Sequence, residues 1–228
     1  MTISVSKGEM LEALKHKIDK PEKFTLIYNA ISDKDLPSKV EARKRIGLDV
    51  KAKLVGVTAR CSEQKNPFEF LAIAEKVINS VNDVEFAYIG DGIYFDEMKE
   101  WIIQRNLDNK IHMIGYRSDA AEIVGALDVY LSTALFEGLP YSMIEAMRAG
   151  VPIVASDVVG NQELVRDGEN GWKYDLGDYE KAMYRIKGLL ENNTITKDMI
   201  RRVFLEEFSI EKTIIKLDLV YNRVYKGI

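Results

Sequence analysis

Residues 127–156 read LDVYLSTALFEGLPYSMIEAMRAGVPIVAS, and the order of apolar and polar runs in this stretch decides the fold. The run 127–133 is apolar enough for a strand covered on both faces, and 152–156 is a second such run. Between them a loop carrying Glu137 to Pro140 leads into a short helix that closes near Gly150. Strand, loop, helix and strand is the repeating unit of a parallel sheet, because parallel neighbours need a crossover. Two carboxylates, Glu137 ahead of the helix and Glu145 within it, stand where a ligand could reach them.

The alternation continues on both sides. Upstream, strands are expected at 54–58, 84–89 and 110–114, with helices at 67–80, 94–106 and 118–126. Downstream, a short helix near 162–165 precedes a brief strand at 172–174. Counted from Leu54, the pattern predicts an α/β fold: a doubly wound, parallel, six-stranded Rossmann-like sheet with helices on both faces. Before it, 7–18 reads as a helix closed by Pro21, 24–28 as a strand, 29–36 as a polar turn, and 39–46 as a charged helix ended by Gly47. After it, 179–192, 196–207 and 210–225 form a C-terminal helical extension with no further strand.

Composition narrows the function classes. In 228 residues, 46% hydrophobic and 30% charged describe a globular protein with a substantial core. The net charge of -4, from 32 basic and 36 acidic side chains, gives no general attraction to nucleic acid or anionic lipid, so any anion must be held locally. One cysteine, Cys61, excludes an internal disulfide framework, suits a reducing compartment, and reads as an inert thiol. His16 and His112 stand apart without metal-ligand spacing. No apolar run approaches the ~20 residues of a membrane span, and the N-terminus lacks a signal-peptide pattern.

The sheet predicts its own ligand site. In the order 3-2-1-4-5-6 a crevice opens where the first and fourth strands diverge, beyond their carboxyl ends. The loops that follow those strands are 60–66, with Arg60 and Lys65, and 134–140, with Glu137. Pro140 suits the first helical turn, leaving the amides near Tyr141, Ser142 and Met143 to face a ligand. Cations and a helix N-terminus at one crevice are a physical recipe for holding a diphosphate. Glu145, about 7.5 Å along the helix axis, could accept hydrogen bonds from vicinal sugar hydroxyls. Two acids so separated suit an elongated ligand better than a hydrolase that flanks one bond. Singly, Glu137 and Glu145 are ordinary loop and helix acids, and Arg60 and Lys65 ordinary surface charges. Their joint spacing carries the reading. Gly90-Asp91-Gly92 is weak as a dinucleotide fingerprint, lacking the third glycine and the later acid.

These residues resemble the retaining glycosyltransferases of the GT-B fold, most closely family 4 (group 1). Glu137 and Glu145 match the E-x7-E pattern, 127–174 resembles the donor-site block with its glycines at 138, 150, 160, 168 and 171, Arg60 and Lys65 resemble the pair that grips the donor diphosphate, and Gly90-Asp91-Gly92 matches the glycine turn after the second strand. The resemblance implies Arg60 and Lys65 on the diphosphate, Glu145 on the ribose, and Glu137 positioning the hexose. It further implies the amides of Gly138, Leu139, Tyr141, Ser142 and Met143, Pro140 excepted, on sugar and phosphates, and Gly115, Tyr116 and Arg117 near the base. The expected donor is a UDP- or GDP-linked hexose, with retention of configuration, no cofactor and no metal; no Asp-x-Asp pair of the metal-dependent kind is present.

Family members pair an N-terminal acceptor domain with a C-terminal donor domain, and this chain resembles the donor half. Residues 1–22 are then a crossover helix, 23–208 the donor domain, and 209–228 a helix that packs on the other half. The resemblance implies transfer to a glycan or lipid-linked acceptor in surface polysaccharide assembly, in the cytoplasm or peripheral to the inner face of the membrane. The alternatives are a non-catalytic nucleotide-sugar-binding or protein-interaction domain, or a GT-B epimerase or phosphorylase, against which the absence of a positioned histidine and of a cofactor lysine counts. The chain departs from the pattern at Gln64-Lys65-Asn66, where Glu-Lys-Gly is common, and at Gly138-Leu139-Pro140-Tyr141, where Gly-Phe-Gly is more frequent.

Overall fold

In the computed structural model, which describes residues 1–48, 51–192 and 194–226, the chain opens with a strand that its sequence does not announce. β1 (Thr2–Ser4) pairs in parallel with β2 (Phe24–Leu26), and α1 (Lys7–Lys15) crosses between them. Ser6 caps α1, its hydroxyl accepting from the Glu9 amide at 3.1 Å. The helix stops short of Ile18 because Lys17 takes a left-handed φ of 54°. The apolar side chains of Leu11 and Ile18 are largely exposed. α2 (Lys39–Ile46) begins with a capping box between Ser38 and Glu41 and ends at Gly47, whose φ of 73° closes it as its sequence predicts.

The main sheet contains β3 (Lys53–Thr58), β4 (Val84–Ile89), β5 (Ile111–Gly115), β6 (Val129–Ser132), β7 (Ile153–Ser156) and β8 (Gly171–Tyr174). Their spatial order is β5-β4-β3-β6-β7-β8, every pair parallel, which is the expected 3-2-1-4-5-6. The crossovers are α3 (Pro67–Ile78), α4 (Phe95–Gln104), α5 (Ala120–Ile123) with a following 3-10 turn, α6 (Tyr141–Ala149) and α7 (Asn161–Leu164). α8 (Tyr179–Asn192), α9 (Lys197–Glu207) and α10 (Ile210–Lys226) complete the chain; residues 227–228 of the expected last segment lie outside the described residues.

Packing follows the apolar faces. α3 lies against α8, and α6 against α9. Phe70 of α3 meets Phe86 and Tyr88 of β4 edge-on, at centroid distances of 5.8 and 5.2 Å. All three side chains are fully buried, and a Phe buried in this way contributes about 1.5–3 kcal/mol. A buried Arg43 ties α2 to the sheet, its guanidinium 2.7 Å from Asp128 Oδ2, which also accepts from the Leu54 amide at 2.7 Å.

Two glycines fix how the loops stack at the carboxyl ends of the strands. Gly90 and Gly92 have φ of 149° and 145°, and a Cβ on Gly90 would lie 1.9 Å from the Ala59 carbonyl oxygen. One on Gly92 would lie 2.6 Å from that of Cys61. The 90–92 turn therefore presses backbone to backbone on the segment that carries Arg60, with Cys61 N donating to Asp91 O at 2.7 Å. Gly90→Ala is expected to cost at least about 2 kcal/mol, from backbone strain and this overlap, measured by urea denaturation.

Candidate active site

The site begins with what β3 and β6 deliver. Thr58 ends β3 and the chain runs on through 60–66; Ser132 ends β6 and the chain runs on through 134–140. The two loops are stitched together: Leu135 N donates to Gln64 O at 2.8 Å, and the Thr133 hydroxyl lies 2.9 and 3.0 Å from the carbonyl oxygens of Lys65 and Asn66. Asn66 stands where glycine is common, and it takes the left-handed conformation itself, with φ of 48°. Asn tolerates that region better than most residues, so the loop keeps its path without glycine.

Lys65 and Glu137 meet across this junction. The Lys65 ammonium is in direct contact with Glu137 Oε1, and both side chains are largely buried. Arg60 is exposed on the same loop, and its side chain forms no hydrogen bond or ion pair with the described residues. Its backbone is held from below, where the Tyr88 hydroxyl donates to Arg60 O at 2.9 Å. Two buried hydroxyls here, Thr58 Oγ1 and Ser62 Oγ, find no partner, at a cost of about 1–3 kcal/mol each.

The helix that follows Glu137 starts one residue later than its sequence suggests. Pro140 is the N-cap of α6, with ψ of 122°, rather than part of its first turn. Met143 N, expected to face a ligand, instead donates to Pro140 O at 3.2 Å, and the Met143 side chain is buried. The amides of Gly138, Leu139, Tyr141 and Ser142 have no partner among the described residues. Leu139 is a core residue whose carbonyl accepts from Asn29 Nδ2 at 2.7 Å. Tyr141 is half exposed at the helix start. Tyr130, buried in β6, lies between the two loops, its hydroxyl 3.1 Å from Thr58 O and 2.9 Å from Ser142 Oγ. Burial pushes its pKa to about 12, so it remains a neutral strut.

Glu145 sits one turn further along α6, partly buried and without a hydrogen-bond donor among the described residues. Burial raises its pKa, opposed by the charges of Arg148 and Lys34. Gly115, Tyr116 and Arg117 lie at the carboxyl end of β5, two strands from β3, about 10 Å at about 4.8 Å per strand. Tyr116 is exposed, and Arg117 is engaged with Asp119 at 2.8 and 2.9 Å. Cys61 is buried beside the site, and burial with the charge of Asp91 pushes its thiol up to about 11, which keeps it inert. The crevice itself is narrow, lined by Lys65, Tyr88, Tyr130, Thr133, Glu137 and Ser142. A larger concavity of about 1000 Å³ opens at the opposite, amino ends of the strands, lined by Lys53, Asp128, Val151, Lys197 and Arg201 among others.

The sheet order and the crevice at its reversal define one half of a GT-B fold. The chain belongs to the group 1 glycosyltransferases: residues 38–204 match the model of the family Glycosyl transferases group 1. It is 29% identical over 205 residues, 85% of its length and 51% of the relative's, to the UDP-Gal:alpha-D-GlcNAc-diphosphoundecaprenol alpha-1,3-galactosyltransferase of Escherichia coli. Among solved structures, S. aureus TarM in complex with UDP superposes with a TM-score of 0.83 at 23% identity, covering 96% of this chain and 43% of TarM. Anabaena HepE in complex with UDP-glucose superposes at 0.82 and 22%, covering 96% of this chain and 63% of HepE. The chain thus spans about half the length of the curated relative.

Two variants test the electrostatics. Lys65→Ala leaves Glu137 as a largely buried, unpaired carboxylate, at a cost of about 1–3 kcal/mol at neutral pH. An unpaired buried carboxylate has a raised pKa, so this deficit grows as pH rises, and urea denaturation should show a larger loss at pH 8 than at pH 5, restored in Lys65→Ala/Glu137→Gln. Glu145 already has a raised pKa, so its folded form holds the proton more tightly than the unfolded one, and stability is lost as pH rises through that window. Glu145→Gln should therefore raise the melting temperature at pH 7, and less so at pH 4.

Proposed function

We propose that this chain is the donor-binding half of a retaining glycosyltransferase that moves a hexose from a nucleotide diphosphate sugar to a glycan or lipid-linked acceptor, in surface polysaccharide assembly. The observation that carries the reading is the Lys65–Glu137 pair at the junction of two loops, with the open amides of Tyr141 and Ser142 beside it. In this structure the cation and the acid neutralise each other. A diphosphate arriving at the helix start draws Lys65 toward itself, joined by Arg60, and releases Glu137 to accept hydrogen bonds from the hexose. Glu145, desolvated and without a donor, receives the ribose hydroxyls. Gly115 to Arg117 border the base.

Charge develops on the diphosphate as the glycosidic bond to it breaks, and Arg60, Lys65 and the α6 amides stabilise that charge without a metal or cofactor. Glu137 positions the sugar; its contact with Lys65 suits a hydrogen-bond acceptor. UDP is the favoured nucleotide, since UDP or a UDP-sugar appears in the names of the relative and of both solved structures. The acceptor half would lie against α10, whose Ile214, Ile215, Leu219, Tyr221 and Val224 are exposed. No described helix is long and apolar enough to cross a membrane. The full enzyme would meet a lipid-linked acceptor from the membrane surface.

Isothermal titration with UDP and GDP tests the reading. The wild-type chain should bind UDP, and Arg60→Ala and Glu145→Ala should each weaken it by about 10- to 100-fold, the loss of one or two charge-assisted hydrogen bonds. A folded wild-type chain that binds neither nucleotide would overturn the donor-site assignment and favour a protein-interaction domain.

A further inference from the structure

The crossover helix α1 reaches the sugar end of the proposed donor site, and it is held there by contacts of its own. The amides of Lys7 and Gly8 each donate to the Glu163 carboxylate of α7, at 2.8 Å. Burial together with the nearby Glu163 carboxylate pushes the Tyr28 hydroxyl up to about 12. Gly8 lies flat on the turn before α7: a Cβ there would sit 2.4 Å from Val159 Cγ1. That turn in turn abuts the donor loop, since Glu137 N donates to Val159 O at 3.2 Å and a Cβ on Gly160 would lie 2.5 Å from the carbonyl oxygens of Glu137 and Gly138.

This docking puts the Glu9 carboxylate on Gly138. A Cβ at Gly138 would lie 2.3 Å from Glu9 Oε1 and 3.2 Å from its Cδ. Gly138 is thus flanked by two acids, Glu137 before it in the chain and Glu9 across the crossover. They differ in their partners: Glu137 is paired with Lys65, whereas the Glu9 carboxylate has neither a cation nor a hydrogen-bond donor among the described residues. A carboxylate without a donor can only accept, and the groups on a hexose that donate are its hydroxyls.

We infer that Glu9 accepts a hydrogen bond from a hydroxyl of the transferred hexose, so that a crossover residue outside the E-x7-E block takes part in sugar selection. The inference rests on the donor-site reading above. Sites that hydrogen-bond a particular hydroxyl discriminate against donors that present it differently, so Glu9 would act on the choice between epimers. Glu163 is its positioning residue, because it fixes the start of α1.

Titration of the chain with UDP, UDP-glucose and UDP-galactose, and with GDP and GDP-mannose, separates the two claims. In Glu9→Gln and Glu9→Ala, affinity for the bare nucleotide should stay within about twofold of wild type, while the better-bound nucleotide sugar weakens by about 5- to 20-fold, the loss of one charge-assisted hydrogen bond. Glu163→Ala, which releases α1, should reproduce that sugar-specific loss. Nucleotide-sugar affinity unchanged in both Glu9 variants, an equal loss for nucleotide and nucleotide sugar, or a wild type that gains nothing from the hexose would each overturn the role of Glu9 while leaving the donor-site reading standing. A wild type that binds no nucleotide would fail the donor reading first, and this inference with it.

Discussion

The organising constraint is the seam between β3 and β6. Only Val55 with Val129, and Gly56 with Tyr130, pair along it, and from it the sheet grows in opposite directions, through β4 and β5 on one side and β7 and β8 on the other. Crossovers that leave neighbouring strands in opposite directions cannot cover the ground between them, so a crevice remains above the seam. Gly56 lets the strands close there: a Cβ would lie 2.6 Å from Ala87 O and 2.8 Å from Leu127 Cδ2. The Tyr130 hydroxyl then spans the crevice floor, touching the end of β3 and the start of α6 together. The positions of Lys65 and Glu137 descend from those contacts.

The site is held at a cost to the resting fold. Thr58 and Ser62 carry buried hydroxyls without partners, and Glu145 has lost water without gaining a donor. Each is a penalty that the surrounding fold offsets. The ion pair works in the opposite sense, for Lys65 makes burial of Glu137 tolerable. In a chain of net charge -4, an anion at the proposed donor site would be attracted by this local arrangement of Lys65, Arg60 and helix amides and not by the protein's overall field.

Much of this was legible because periodicity is a local property. The strand 84–89 and the helix 179–192 fall where their apolar spacing puts them, and the six strands take the order common to this kind of doubly wound sheet. What escaped was set by contacts distant in sequence or by single backbone angles. β1 has three residues, too few for a period, and exists because Phe24–Leu26 pairs with it. The Met143 amide was lost to a ligand when Pro140 took the cap position and offered its carbonyl. Asn66 replaced a glycine without loss of its left-handed turn, which composition alone does not reveal. The docking of Glu9 on Gly138 depends on Glu163, and no spacing rule connects α1 to α7.

The larger concavity, of about 1000 Å³, lies at the amino ends of the strands, where the ends of α6 and α8 meet the starts of α2 and α9. Most of its cations are engaged: Arg201 donates to Arg148 O at 2.7 Å and pairs with Asp33 at 2.7 Å, Lys39 pairs with Asp128 and Lys34 with Glu122, whereas Lys53 and Lys197 have no ion pair among the described residues. At the carboxyl ends the crevice is small, yet it faces a helix start with open amides and an exposed, unpaired Arg60. The open amides at the start of α6 and the exposed Arg60 thus favour an anion at the carboxyl edge. Volume reports where side chains leave a gap, whereas the unmatched donors and acceptors report what the gap can hold.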